Sequence, residues 1–231
     1  MTYGRKNIKA ILFDMDGTLV DSERLTEQAL LALLAARGIP AKGLDLVQFH
    51  GVTWNSIAGK LRQLFPSLES EGHLAGEIET RFQALFQDHP PDMIPGARDA
   101  FIAASHAFPG ATSIVTSSEA RAVELLLDRA DLRSLCTGYT SCDQYTRSKP
   151  APESYLLAAS RLGLSPSSCL VFEDSLPGLE AARAAGMACI AITRGIEQRV
   201  RQGELLADDV IDDFTDLPQG YFASLCHAFN G

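Results

Sequence analysis

Residues 8–22 read Ile-Lys-Ala-Ile-Leu-Phe-Asp-Met-Asp-Gly-Thr-Leu-Val-Asp-Ser. The apolar run Ile8, Ala10, Ile11, Leu12 and Phe13 has strand length, with aliphatic residues on both sides of the period. Such a run fits a central strand of a parallel sheet that is covered on both faces. Asp14 and Asp16 follow at once, then Gly17 and Thr18. In a doubly wound sheet the carboxyl ends of the strands are where ligands sit. Two acids there, followed by a glycine that lets backbone approach closely, read as a site.

Working outward, Glu23 to Gly38 takes a helical period, with Leu25, Ala29, Leu30, Leu33 and Ala36 on one stripe and Gly38 as the cap. Two more helices are expected, Trp54 to Phe65 with Thr53 as N-cap, and about Glu69 to Gln87. No strand-like alternation occurs over 23–88, and His89-Pro90-Pro91 and Ile94-Pro95-Gly96 punctuate the end of the block. From Gly96 on, helices and strands alternate. Strands are expected at Thr112–Thr116, Leu135–Thr140, Cys169–Phe172, Met187–Ile192 and near Val210–Ile211. Helices are expected over 97–107, from Ser118 as cap through 119–130, from Pro152 to Gly163, and up to Gly186. The fold class is therefore α/β, a doubly wound parallel sheet of Rossmann-like type formed by residues 1–21 and 92–231. A helical cap domain, residues 22–91, is inserted after the first strand.

The 231 residues, 46% of them hydrophobic, suffice for one core and a small accessory domain. A net charge of −9 argues against nucleic acid or an anionic membrane as partner. The five cysteines show neither CxxC nor paired metal spacing, which predicts reduced structural thiols. Without an apolar signal core or a run of membrane-spanning length, a soluble cytoplasmic protein is expected, a monomer or weak homodimer.

Four short elements fall at predicted strand ends: Asp14-x-Asp16-Gly17-Thr18, Thr116-Ser117-Ser118, Lys149-Pro150-Ala151-Pro152 and Glu173-Asp174-Ser175. Together they resemble the haloacid dehalogenase superfamily of phosphohydrolases, over essentially the whole chain and with a cap of the C1 type. The chain is similar to the β-phosphoglucomutase and phosphoglycolate phosphatase-like group of that superfamily.

Phosphoryl transfer needs a nucleophile, an acid, charge neutralisation and orientation. Asp14 suits the nucleophile, leaving an aspartyl-phosphate, and Asp16 can protonate the leaving oxygen and then deprotonate water. The family gives these roles to the matching aspartates. A dianionic phosphate approaches carboxylates only with a hard cation, and Mg²⁺ suits. By resemblance its ligands are the Asp14 side chain, the Asp16 carbonyl and Asp174. Glu173 either holds a metal-bound water or faces away. Thr116 offers its hydroxyl and Ser117 its amide to phosphate, Lys149 supplies positive charge, and Ser175 caps the next helix.

The implied activity is a Mg²⁺-dependent phosphatase acting on a small phosphorylated metabolite. Its cap would close over the site, pivoting near Thr18–Asp21 and Pro90–Gly96. Trp54 either packs within the cap or, with Asn55, lines a substrate pocket. Lys60, Arg62 and Arg81 meet an anionic substrate or are solvated helix charges. The alternative is a phosphosugar mutase of the β-phosphoglucomutase type. Those relatives carry a histidine twelve residues after the nucleophile, where this chain has Thr26, and a cap arginine where it has Trp54. A dehalogenase would lack the second aspartate, and a phosphonate hydrolase would need a cap lysine. A non-catalytic binding protein would not need the intact set of Asp14, Asp16, Thr116, Lys149 and Asp174.

Overall fold

A computed structural model describes residues 7–49, 54–68, 72–88 and 90–227. The apolar run after Ile8 forms β1 (Ala10–Phe13), every residue of it buried. Five further strands join it: β2 (Thr112–Val115), β3 (Gly138–Thr140), β4 (Cys169–Glu173), β5 (Ala188–Ile192) and β6 (Asp209–Ile211). All pair in parallel, in the order β3-β2-β1-β4-β5-β6. This is the doubly wound order, with β1 between β2 and β4 at the point where the winding reverses.

The chain divides into two compact units, Met1–Val20 with Met93–Gly231, and Asp21–Asp92. In the first, the two faces of β1 bury different partners. Ile11 and Phe13 enter one core with Phe101, Phe172, Phe214 and Phe222, whereas Ala10 and Leu12 enter another with Tyr155, Val171, Leu179 and Ala182. The Phe13 and Phe172 rings stack at 5.1 Å. Burying one such ring stabilises by roughly 2–3 kcal/mol. Because Asp14 is the first polar residue after these strand positions, register alone brings it to the sheet's carboxyl edge.

Around the sheet lie α4 (Ala97–Ala107), α5 (Ala120–Arg129), α6 (Glu153–Arg161), α7 (Leu176–Ala184), α8 (Glu197–Leu206) and α9 (Tyr221–His227). The second unit contains α1 (Glu23–Ala36), α2 (Trp54–Leu64) and α3 (Leu74–Asp88). Leu30, Leu33, Leu34, Phe49, Ile57, Leu61, Leu74 and Ile78 form its core.

Several boundaries differ from expectation for identifiable reasons. Leu34, not Ala36, completes the buried stripe of α1, because Leu34 carries the larger apolar side chain into that unit's core while Ala36 is exposed. The third helix starts at Leu74, after a short 3-10 turn over Pro66–Leu68; residues 69–71 and the expected cap Thr53 lie outside the described residues. Leu135 and Cys136 are not strand, because their amides bond back to the Leu132 carbonyl as a turn. Helix α5 begins at Ala120 behind an extended Glu119, and Ser118 does not cap it. Its hydroxyl is engaged elsewhere.

Helix glycines report how tightly the backbone is used. A Cβ added at Gly59 of α2 meets nothing within 4 Å, but one at Gly178 of α7 would lie 1.7 Å from a Glu173 carboxylate oxygen. Gly59→Ala is therefore expected to raise stability by about 0.5–1 kcal/mol through the unfolded chain's entropy. Gly178→Ala is expected to lower it by several times that and to reduce activity. Thermal melts of both variants check the opposite signs.

Candidate active site

Four connections leave the carboxyl edge of the sheet, and each delivers polar groups. After β1 the chain turns tightly: the Met15 carbonyl accepts from the amides of Leu19 at 2.8 Å and Val20 at 3.0 Å. The turn needs Gly17, whose φ is +81°, and a Cβ there would come within 2.1 Å of Asp174 Oδ2. Only glycine permits both the left-handed backbone and this approach. Thr18 donates its hydroxyl to Asp174 Oδ1 at 3.2 Å, which ties the β1 and β4 turns together.

Lys149, 6% exposed, donates to Asp14 Oδ1 and to Glu173 Oε1, both at 2.6 Å, and to the Val115 carbonyl at 3.3 Å. Its ammonium also lies 5.0 Å from the centre of the Tyr155 ring. Burial alone would push this ammonium down, but the charges of Asp14 and Glu173 outweigh it and hold the lysine protonated.

Glu173 does not face away. Its Oε1 accepts from Lys149 and from the Tyr155 hydroxyl at 3.1 Å. Its Oε2 accepts from the amides of Asp174 at 2.9 Å and Ser175 at 3.0 Å, and from the Ser175 hydroxyl at 3.1 Å. The carboxylate thus plugs the turn that starts α7, and Gly178 leaves the space for it. Ser175 caps that helix, accepting from the Gly178 amide at 3.2 Å.

Asp14, Glu173 and Asp174 are all buried and can present carboxylate oxygens within 4.8 Å of one another. Burial, the charge of Glu173 and, more weakly, that of Asp174 raise the Asp14 carboxyl well above the ordinary range, with Lys149 only partly opposing them. Three acids, two of them paired with the single ammonium of Lys149, leave a negative site whose carboxylates offer only oxygen ligands. That donor set is the one a hard divalent ion takes.

Asp16 stands apart from this cluster. Its Oδ2 accepts from the hydroxyls of Ser118 at 2.6 Å and Thr116 at 3.2 Å. Its Oδ1 is buried and, among the described residues, has no hydrogen-bond partner. Ser117 is exposed on the same turn, and Tyr145 braces it by donating to the Thr116 carbonyl at 3.0 Å.

The sequence profile of the haloacid dehalogenase-like hydrolases matches residues 8–186, which include all four of these turns. The chain belongs to that family. Among its relatives, the fructose-1-phosphate phosphatase YqaB of Escherichia coli K12 is 30% identical over 185 residues, covering 79% of this chain and 95% of that one. A second match, the chloroplast protein SUPPRESSOR OF QUENCHING 1 of Arabidopsis thaliana, is 29% identical over 88% of this chain, which spans only 20% of that protein's length. The crystal structure of a haloacid dehalogenase family hydrolase from Deinococcus radiodurans, with bound phosphate and sodium, superposes with a TM-score of 0.73. It is 28% identical, over 95% of this chain and 97% of that one.

For a haloacid dehalogenase-like hydrolase, two residues with clear contacts escaped sequence reasoning. Ser118 was hidden by the ordinary preference of serine for helix starts, and Tyr155 by its apolar helical surroundings. The residues of the inserted unit are less telling. Trp54 packs at 5.1 Å on Phe82, Asn55 is exposed, and Lys60 donates to the Gln48 carbonyl. Arg81 pairs with Glu77, whose carboxyl the hydrogen bonds from Arg37 and Arg81 hold down at about 2. No described helix is long and apolar enough to cross a membrane.

Proposed function

We propose that the protein is a Mg²⁺-dependent phosphatase that hydrolyses a small phosphorylated metabolite, a sugar phosphate or similar compound, through an aspartyl-phosphate. The observation that carries this reading is the pairing of Asp14 Oδ1 with Lys149 inside a buried cluster of three carboxylates. Lys149 orients the Asp14 carboxyl and offsets the charge of an arriving phosphate. Asp14 attacks phosphorus, and its carboxylate becomes an acyl phosphate. Asp16 protonates the departing oxygen and afterwards takes a proton from the attacking water. The Ser117 amide is assigned to a phosphate oxygen, and so is the Thr116 hydroxyl, which donates to Asp16 Oδ2 in the structure and turns from it when phosphate binds. Asp14, Asp174 and the Asp16 carbonyl would hold the ion, which supplies charge neutralisation for the phosphate. Glu173 acts by fixing Lys149.

The named activity of the Escherichia coli relative supports a sugar phosphate as substrate. Recognition of the sugar is assigned to the inserted unit, with Trp54 and Asn55 the first residues to vary. None of the five cysteines is joined in a disulfide, which supports the reducing cytoplasm as its location.

The test is phosphate release from a panel of sugar phosphates, phosphoglycolate and sugar-alcohol phosphates, with Mg²⁺ and with a chelator. Release that requires the ion is the expected result, and the ranking defines the substrate class. Interconversion of hexose phosphates without release would overturn the proposal in favour of a mutase.

A further inference from the structure

We infer that Ser118 is a positioning residue for proton transfer: it fixes the Asp16 carboxyl through Oδ2 so that Oδ1 is the oxygen that exchanges the proton. The inference deepens the phosphatase reading and rests on it. Ser118 is itself held by its backbone. Its amide donates to Thr116 Oγ1 at 2.9 Å, and its carbonyl accepts from the Cys142 amide at 3.0 Å. Because Thr116 Oγ1 accepts that amide, its own proton is directed at Asp16 Oδ2, 3.2 Å away. The Ser118 hydroxyl reaches the same oxygen at 2.6 Å.

Two hydroxyl donors therefore converge on Oδ2, and the shorter contact, from Ser118, keeps that oxygen held when Thr116 turns to phosphate. Oδ1 is left buried without a partner among the described residues. An unmade hydrogen bond at a buried carboxylate oxygen is costly, and clamping one oxygen while sparing the other gives the carboxyl a defined working edge. A side chain that must hand a proton to a departing oxygen gains from such restraint, because misplacement by a fraction of an ångström slows transfer. The proton balance is as follows. In the first step the bond from phosphorus to the leaving oxygen breaks, Asp14 bonds to phosphorus, and the leaving oxygen receives its proton from Asp16 Oδ1. In the second step water oxygen bonds to phosphorus, the bond to Asp14 breaks, and the water proton returns to Oδ1.

The requirement for an acid depends on the leaving group, and that gives the test. A sugar alkoxide needs protonation, whereas p-nitrophenolate departs without it. In S118A, kcat/KM for fructose 1-phosphate should fall by about tenfold or more. For p-nitrophenyl phosphate it should change by less than about twofold, because kcat/KM reports only the steps up to phosphoryl transfer. S118T, which keeps the hydroxyl, should restore much of the difference. The ratio of the two constants, taken on one preparation, is independent of the fraction of protein that is folded. Equal losses with both substrates would assign Ser118 to phosphate binding or to folding and overturn the inference, as would no loss with either. If the unaltered protein releases no phosphate from p-nitrophenyl phosphate or from any compound of the sugar phosphate, phosphoglycolate and sugar-alcohol phosphate panel, the phosphatase reading itself fails, a result distinct from an unchanged ratio.

Discussion

Asp14→Asn is expected to abolish phosphate release, by on the order of 10⁴-fold or more, without unfolding the protein. The amide keeps the shape of the carboxyl, and its oxygen can still accept from Lys149, which reaches Asp14 Oδ1 at 2.6 Å. What it loses is the proposed nucleophile and one of three crowded negative charges. Stability should therefore move opposite to activity. In the native protein burial, Glu173 and Asp174 raise the Asp14 carboxyl above its unfolded value of 3.8, so the folded state holds a proton there that the unfolded state has already lost. Between those two values stability falls as pH rises. At neutral pH without metal, Asp14→Asn should melt above the unaltered protein, and the stability that the unaltered protein gains on mild acidification through this group should vanish in the variant. Added Mg²⁺ should reverse the order by stabilising the unaltered protein more. Thermal melts with and without the ion at two pH values read all of this. Retained turnover would remove Asp14 as nucleophile.

Lys149→Met is expected to damage fold and turnover together. The ammonium is the partner of two buried carboxylates at 2.6 Å, and Glu173, to which it is joined, is wholly buried. Removing one member of such a buried pair costs about 3–5 kcal/mol, because the other is left charged and unpaired. For a chain of this length that corresponds to a fall in Tm of roughly 10 °C. Turnover should drop by about 10²–10³-fold through loss of charge opposite the phosphate. Adding Glu173→Gln removes the stranded charge while leaving an oxygen for the Asp174 and Ser175 amides. The double variant should recover part of the lost stability and none of the activity. Equal melting of the single and double variants would show that the two side chains are not energetically coupled.

The parts of this molecule that were legible in its sequence are those set by local rules. An apolar run that stops at Asp14, another that stops at Glu173-Asp174, and polar clusters after Val115 locate the carboxyl edge of the sheet without any coordinates. Lys149 was legible only through the family resemblance, since 135 residues separate it from its partner Asp14 and no local pattern marks it. Glu173 could not be assigned because adjacent acids differ only in which way each side chain turns. The space left by Gly178 decides that, and it arises only when α7 packs over the turn. Ser118 was misread because serine at a helix start has a local use, and here a tertiary hydrogen bond to Asp16 wins. The edge strand β3 was overextended because Leu135 and Cys136 have the composition of a strand but bond as a turn.

The two points where the main chain leaves and re-enters the sheet-bearing unit lie side by side. Val20 forms an antiparallel bridge with Met93, the Ile94 amide reaches the Leu19 carbonyl at 2.9 Å, and just beyond, the Asp21 amide reaches the Asp92 carbonyl at 2.9 Å. Everything between is a closed excursion on a zipped stem, and the entropy of closing such an excursion grows only slowly with its length. Modules of different size and lining can thus be exchanged on the same stem while the strand order and the acids at its edge stay in place. The insertion therefore costs the sheet no more than the two strands of that stem.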